Sequence, residues 1–267
     1  MPFNTIPAVL LFDNMLFHGK RKFIIRRKRL DYRLLMTVAI ISDIHANIEA
    51  LEAVLAEIEQ QKPGKIICLG DLVGYGPSPN ECIELIREKN ISTVLGNHDA
   101  AITGSQDMKL FREPNHSLLT WTEKQLTTEN LEFLNELPLT LENENWMAAH
   151  ASPYEPKKWV YLNSAILCRK MFSEFSQDFC FVGHTHIPAV VPEQPGIFTV
   201  KPGFRYIINP GSVAQSRDDD KRASYGILDL ENASYFRYRV SYSNEKNRER
   251  LGKLGYSDSE IKKLLRG

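Results

Sequence analysis

Charge of one sign is not in excess anywhere along the chain taken as a whole: Lys and Arg number 33, Asp and Glu also 33, over 267 residues. That balance excludes a generally basic polyanion binder, although local patches stay open. Cysteine is scarce as well. Cys68, Cys82, Cys168 and Cys180 form no C-x-x-C pair, which excludes a disulfide framework and fits reduced thiols of a cytoplasmic chain. Long hydrophobic runs are missing too: Asp13 and Asn14 interrupt residues 6–17, well short of the roughly 20 apolar residues a membrane span needs. Basic residues follow that stretch instead of preceding it, which argues against a secretory signal, so neither export nor a membrane partner is expected. With 43% hydrophobic and 25% charged residues the chain is globular, neither collagenous nor disordered. Its length fits one large domain with at most a small appendage.

The amino terminus differs in character from the rest. Eight Lys and Arg residues crowd positions 20–33, and the remainder of the chain is correspondingly acidic. Residues 1–35 read as a disordered or non-native basic extension, translated from an upstream start, with Met36 opening the folded domain. The competing reading is a basic arm for acidic lipid or nucleic acid. Residues 36–240 are expected to form the main domain and 241–267 a helical tail packed on it or trailing it.

From Met36 onward, short apolar runs alternate with helical patterns, as stacked βα units do. A β-branched strand at 38–41 leads into a helix from Ile48, stopped by Pro63-Gly64; strands follow at 65–69 and 92–95, with a helix at about 80–89 between them. Residues 115–137 predict two helices, split near Thr127-Thr128, that cover part of the domain. Strands are expected after Pro138 at 139–141, 146–149, 179–182, 189–191, 197–200, 205–208, 224–229 and 235–240, giving a second sheet packed on the first. Ser257-Asp258-Ser259-Glu260 is a helix start near the end.

The informative feature is where histidine falls. Of seven histidines, five (His45, His98, His150, His184, His186) lie just after an expected strand. In open α/β sheets the crevice outside the carboxyl ends of strands is where ligands bind, so groups scattered in sequence converge there. Singly each is weak: Asp43 could cap a helix, and a lone His150 could be a satisfied core residue. Together, strand ends bearing Asp, Asn or His in Gly-bounded turns point to metal. Oxygen and nitrogen donors without thiolate suit Mn²⁺, Fe²⁺ or Zn²⁺, and seven ligands suit two ions better than one because carboxylates bridge.

Asp43-x-His45, Gly70-Asp71, Gly96-Asn97-His98-Asp99, His150 and Gly183-His184-x-His186, in that order, resemble the motif series of the calcineurin-like metallophosphoesterases, over roughly residues 36–240. The resemblance implies an α/β fold, a four-layer αββα sandwich of two mixed β-sheets flanked by helices, with two metals at one edge. It implies that Asp43, His45 and His186 hold one ion, that Asn97, His150 and His184 hold the other, that Asp71 bridges, and that His98 is the catalytic acid. Manganese is the expected ion in vitro. Two metals activate a shared water and clamp the phosphoryl oxygens, so no covalent nucleophile is required. Asp99 either orients His98 as part of the catalytic group or caps the following segment.

Departures narrow the branch. Tyr75 stands where protein phosphatases and symmetrical dinucleoside tetraphosphatases carry a phosphate-gripping Arg, and Gly74 where protein phosphatases carry Asp. The chain is more similar to the small bacterial and archaeal phosphodiesterases, in which Asn209-Pro210-Gly211-Ser212 has a counterpart. Arg217 either grips a substrate phosphate or pairs with residues 218–220 at the surface; Tyr75, Phe111, Arg112 and Trp121 are further candidates for a substrate wall. The expected function is hydrolysis of a small phosphodiester. A monoesterase or nucleotide phosphatase, or a catalytically silent binding module on the same fold, is the alternative; nucleic acid enters only as substrate or through residues 20–33.

Overall fold

Strand β1 (Thr37–Ile41) is buried on both faces: Val38 and Ile40 pack toward a second sheet, Ala39 and Ile41 toward helices. Such two-sided burial is why the run is continuously apolar and not alternating. The structure is a computed structural model that describes residues 36–265; the basic extension expected at 1–35 lies outside the described residues.

Strands β2 (Lys65–Cys68) and β3 (Ser92–Thr93) continue from β1 in parallel. On the other side β9 (Ala223–Asp229) and β10 (Ser234–Val240) add antiparallel, giving the order β10-β9-β1-β2-β3. The second sheet comprises β4 (Thr140–Glu142), β5 (Trp146–Ala149), β6 (Phe179–Phe181), β7 (Ala189–Pro192) and β8 (Tyr206–Asn209). Its order is β4-β5-β6-β8-β7, with β5, β6 and β8 parallel. Ile40, Ile67 and Leu69 of the first half meet Trp146, Phe181, Tyr206 and Ile208 of the second in one apolar layer.

Helices cover both outer faces. Helix α1 (Ile48–Gln61) buries Leu51, Val54, Leu55 and Ile58, a stripe at helical spacing, and Asn47 caps it by accepting from the Ala50 N–H at 3.0 Å. Removing one such side chain to Ala costs about 2–5 kcal/mol. Helix α2 (Pro79–Glu88) lies beside it. The short α3 (Asn97–Ile102) follows β3, and the expected helical pair appears as α4 (Asn115–Gln125) and α5 (Thr128–Glu136), with Leu119 and Leu134 in the core. On the far face α6 (Ala165–Lys170) and the turn after it bring Cys168, Phe172 and Phe175 over Met147, Cys180 and Ile207. The architecture is the expected four-layer sandwich of two mixed sheets.

One expected strand does not form. Residues 197–200 are irregular, with Phe198 96% exposed, and the Tyr206 hydroxyl holds the loop by donating to the Thr199 carbonyl at 3.2 Å and accepting from the Lys201 N–H at 3.1 Å. Ile197 and Val200 lean on the inter-sheet core without joining a ladder.

The chain ends in α7 (Glu245–Lys253) and α8 (Asp258–Leu264), and this tail packs closely on the rest. Leu251, Ile261, Leu264 and Leu265 are buried with Leu118 of α4, flanked by Tyr75 and Trp121. Arg250 pairs with Glu49 at 2.9 Å and donates to the Ser78 hydroxyl, while Asn247 donates to the capping Asn47 at 2.9 Å. Among the described residues no helix is long and apolar enough to cross a membrane.

Candidate metal centre and its cleft

Each candidate ligand sits where a parallel strand has just ended. Past β1, Asp43, His45 and Ala46 have φ of 57°, 50° and 50°; past β2, Asp71 has 55°; past β6, His184 and His186 have 62° and 59°. Left-handed backbone at a non-glycine residue costs about 1–3 kcal/mol and persists only where the surroundings over-determine it. Here the loops stay paired beyond their strands: the Asp43 N–H donates to Gly70 O, that of His45 to Asp71 O and that of Ala46 to Leu72 O, at 3.1, 2.9 and 2.7 Å. Across the sandwich Gly183 approaches Ser42 so closely that a Cβ there would lie 2.0 Å from the Ser42 Oγ.

The result is two buried groups sharing one residue. Asp43, His45, Asp71 and His186 offer ligand atoms within 4.8 Å of one another, as do Asp71, His150 and His184. Asn97 Oδ1 lies 3.1 Å from His150 Nε2 and joins the second group. These are the seven residues expected from the sequence.

Hydrogen bonding fixes what these imidazoles can do. Nδ1 of His45, His150 and His186 lies 3.1, 2.7 and 2.8 Å from the carbonyls of Val73, Leu69 and Gln215. A carbonyl only accepts, so the neutral ring carries its proton on Nδ1 and presents a lone pair at Nε2. Nε2 of His45 and Nε2 of His186 then face each other at 3.1 Å, and His150 Nε2 faces Asp71 Oδ2 at 3.3 Å. Between His45 and His186 the lone pairs converge without a proton between them, as a cation requires, and orientation through Nδ1 is the usual support of a metal-binding histidine. The donor set fits a divalent metal.

The electrostatics leave His45 and His186 neutral, whereas His150 holds a second proton against Asp71 that a cation would have to displace. Burial pushes His45 down to about 4, and His98 and His184 each down to about 3. Burial also pushes Asp43 up to about 7. At Asp71 burial acts upward, but His150 and His98 outweigh it and hold the carboxyl well below its usual range. Conversely burial lowers His150, yet Asp71 prevails and raises it to about 9.

His98 donates its backbone N–H to Asp71 Oδ1 at 2.9 Å, and its Nε2 lies 3.9 Å from Asp71 Oδ2, on the cluster side. Asp99 does not touch that ring. Its Oδ1 accepts from the Leu72 and Val73 N–H groups and its Oδ2 from that of Gly96, so it caps α3 and ties down the 71–73 loop. The capping alternative is therefore the one realised, and the catalytic assignment of Asp99 is corrected to a structural one.

Beside the cluster opens a cleft of about 520 Å³, walled by Tyr75, Phe111, Trp159 and Tyr161. Arg217 lines it beside Tyr75, close enough for its charge to act on the phenol. It is not spent on its acidic neighbours: Arg239 takes Asp218, and Arg222 takes Asp220. Trp121 packs against the tail instead of lining the cleft, because it lies on the face of α4 that meets α8. Sequence reasoning missed Trp159 and Tyr161. Their signal was a Lys-Lys-Trp-Val-Tyr run closely following the candidate ligand His150.

The sequence model for the calcineurin-like phosphoesterase superfamily domain matches residues 36–233, which contain all seven ligand candidates and His98. The chain belongs to this superfamily. A Methanocaldococcus jannaschii protein, MJ0912, is 40% identical over 232 residues, covering 81% of this chain and 92% of that one. Phosphodiesterase YfcE of Escherichia coli is 26% identical over 205 residues, covering 73% and 88%. A metallophosphoesterase from Sphaerobacter thermophilus superposes with a TM-score of 0.73 at 37% identity, covering 86% of this chain and 98% of that one. The superfamily match ends before β10, α7 and α8, so the tail that packs behind the cleft lies outside the matched residues.

Proposed function

We propose that the protein is a dinuclear metal-dependent phosphoesterase that hydrolyses phosphodiesters, with water as nucleophile. The observation that carries this reading is the facing pair of protonless nitrogens at His45 and His186, beside a second cluster that shares Asp71. Asp43, His45 and His186 would hold one ion and Asn97, His150 and His184 the other, with Asp71 common to both. Mn²⁺ is the expected ion, with Fe²⁺ and Zn²⁺ as alternatives. Bound there, two divalent cations would supply the charge that acidifies a water and neutralises phosphoryl oxygens.

The remaining chemistry belongs to the chain. The carbonyls of Val73, Leu69 and Gln215 fix the three imidazoles so that no reorganisation is needed during turnover. His98, with Nε2 on the cluster side, is the proposed general acid; burial leaves the ring neutral, so the proton it offers the departing oxygen is its single N–H. Arg217 grips the non-bridging oxygens as a fork, with Tyr75 beside it. Support for a diester comes from the relative named phosphodiesterase and from Gly74 and Tyr75, which replace an acid and an Arg in the protein-phosphatase pattern. Cytoplasmic location is part of the same proposal, supported by four buried cysteines none of which is bridged.

The test is hydrolysis by metal-stripped protein with Mn²⁺, Zn²⁺ or Mg²⁺ restored, comparing bis(4-nitrophenyl) phosphate with 4-nitrophenyl phosphate. Metal-dependent diester turnover that disappears in His98→Ala is the expected result. Preference for the monoester would replace the substrate class, and no turnover with metals bound would favour a silent binding module.

A further inference from the structure

The charges lining the cleft do not mirror the chain. Over the whole sequence bases and acids are equal in number, but the cleft is lined by Arg112, Lys158, Arg217 and Lys263 against a single acid, Glu113. That acid is already engaged: its carboxylate accepts from the Ser117 N–H and hydroxyl and contacts His116 at 3.2 Å. Four cations drawn from four separate segments and converging on one concavity against a single carboxylate constitute a field for an anion with several charges.

The four are not equivalent. Arg217 sits near the metal cluster, where its charge opposes protonation of His45, His98, His184 and His186. It is the partner of the scissile phosphate. Lys158 is tied to Glu155 at 2.7 Å. Arg112 and Lys263 are exposed, and among the described residues neither makes an ion pair. The acid on which Lys263 acts is Glu260, whose carboxylate is hydrogen-bonded by Ser257 and makes no ion pair with the ammonium, so Lys263 keeps its donors for a ligand's charge.

Lys263 also occupies a built position. Helix α8 buries Ile261 and Leu264 against Leu118 and Leu251, which fixes the helix face from which Lys263 projects. Gln215 locks it further: its carbonyl accepts from Nδ1 of His186 at 2.8 Å, and its side-chain amide donates to the Leu264 carbonyl. The metal ligand and the residue next to Lys263 thus share one intermediary, which registers the helix against the reaction centre. Ser257 and Glu260 cap the helix start reciprocally.

We infer that Lys263 and Arg112 form a distal phosphate subsite, so that the substrate is a diester bearing a second phosphate beyond the scissile one. This rests on the phosphoesterase reading for catalysis but makes a separate claim about binding. A phosphate meeting an Arg fork and a Lys ammonium gains charge-assisted hydrogen bonds that a neutral group does not. The Tyr161 ring, 47% exposed, lining the same cleft and with its centroid 3.9 Å from that of the candidate ligand His184, offers a flat surface for the group that links the two phosphates.

Two nucleotide esters that differ only in the second phosphate test it: thymidine 5′-(4-nitrophenyl phosphate) and the same diester carrying a 3′-phosphate. With Mn²⁺ the phosphorylated diester is expected to show a KM at least tenfold lower, and Lys263→Glu should abolish most of that ratio. Lys262→Glu, one residue away but outside the cleft lining, should keep it and so controls for net charge. In parallel, calorimetry on the metal-free protein should find thymidine 3′,5′-bisphosphate bound at least tenfold more tightly than thymidine 5′-phosphate, again only with Lys263 present. Equal affinities in the wild type, or a preference that survives Lys263→Glu, would overturn the subsite. Failure of both diesters to react while the calorimetric preference holds would remove the catalytic reading and leave the subsite standing.

Discussion

Gly74 lies directly against the His98 imidazole: a Cβ added at Gly74 would stand 2.1 Å from Nδ1 of that ring. The φ of 89° at Gly74 disfavours any other residue independently. The space a side chain at position 74 would take is the space the imidazole occupies. Gly74→Ala should therefore push His98 away from the cluster, lowering kcat at least tenfold with metal content retained, and the left-handed backbone should cost a further stability of about 1–3 kcal/mol whether or not His98 is present. In a His98→Ala background the same substitution should cost almost nothing in rate, because the clash has gone; additive losses in this double-mutant cycle would disprove the steric link.

Asp71 belongs to both ligand groups and receives the His98 N–H as well. Asp71→Asn should lose metal and activity together, below one equivalent by elemental analysis. Full occupancy in that variant would contradict a shared ligand.

Chelation should destabilise the protein without unfolding it. With metal removed, the lone pairs of His45 and His186 face each other with nothing between them, while the apolar layer between the sheets is untouched. A ligand present at about 100 times its Kd contributes about 2.7 kcal/mol. A drop of several degrees in melting temperature, reversed by Mn²⁺ with unchanged far-ultraviolet circular dichroism, is the expected outcome. An unshifted melting curve would count against the site.

Asn209 stitches together the turn that presents two ligands. Its amide donates to Gly183 O at 2.7 Å and to the Thr185 hydroxyl at 3.0 Å, and its Oδ1 accepts from the Gly211 N–H at 2.8 Å. Asn209→Ala leaves these groups buried without partners, at about 1–3 kcal/mol for each unsatisfied one. It should lower both stability and metal affinity, readable as a denaturation midpoint and a Mn²⁺ titration; a stability loss with unaltered Mn²⁺ affinity would confine Asn209 to scaffolding.

All four cysteines are buried, and burial pushes each thiol upward, which suppresses the reactive thiolate. Ellman's reagent should find no fast-reacting thiol in the folded protein and four after denaturation. Rapid reaction of even one in the native state would mean that the packing over Cys168 opens.

The strands and the ligand-bearing turns were legible because both announce themselves locally. A buried parallel strand reads as an unbroken β-branched run, and a ligand turn as Asp, Asn or His between small residues. What escaped detection depends on distance in sequence. The tail was expected to be helical, but the bounds of α7 and its docking were not readable: Leu251 and Asn247 are its buried residues and, Gly252 apart, the rest is charged, so it has no apolar stripe. Residues 197–200 look like a strand by composition, yet the Tyr206 hydroxyl satisfies their backbone and no ladder is needed. Trp159 and Lys263 reach the cleft only because a loop and a docked tail fold over the sheet edge, and no periodicity encodes where a loop comes to rest.

Asp43, His45, Asp71 and Asn97 follow strands of one sheet, and His150, His184 and His186 follow strands of the other. Cations held between them would rivet two plates together at a single rim. The gap between the plates is filled by Ile40, Ile67, Trp146 and Phe181. Those side chains act as shims. Swapping one for a larger or smaller neighbour would retune the spacing of the rivets, so the interior of this protein is also the gauge of its reactive edge.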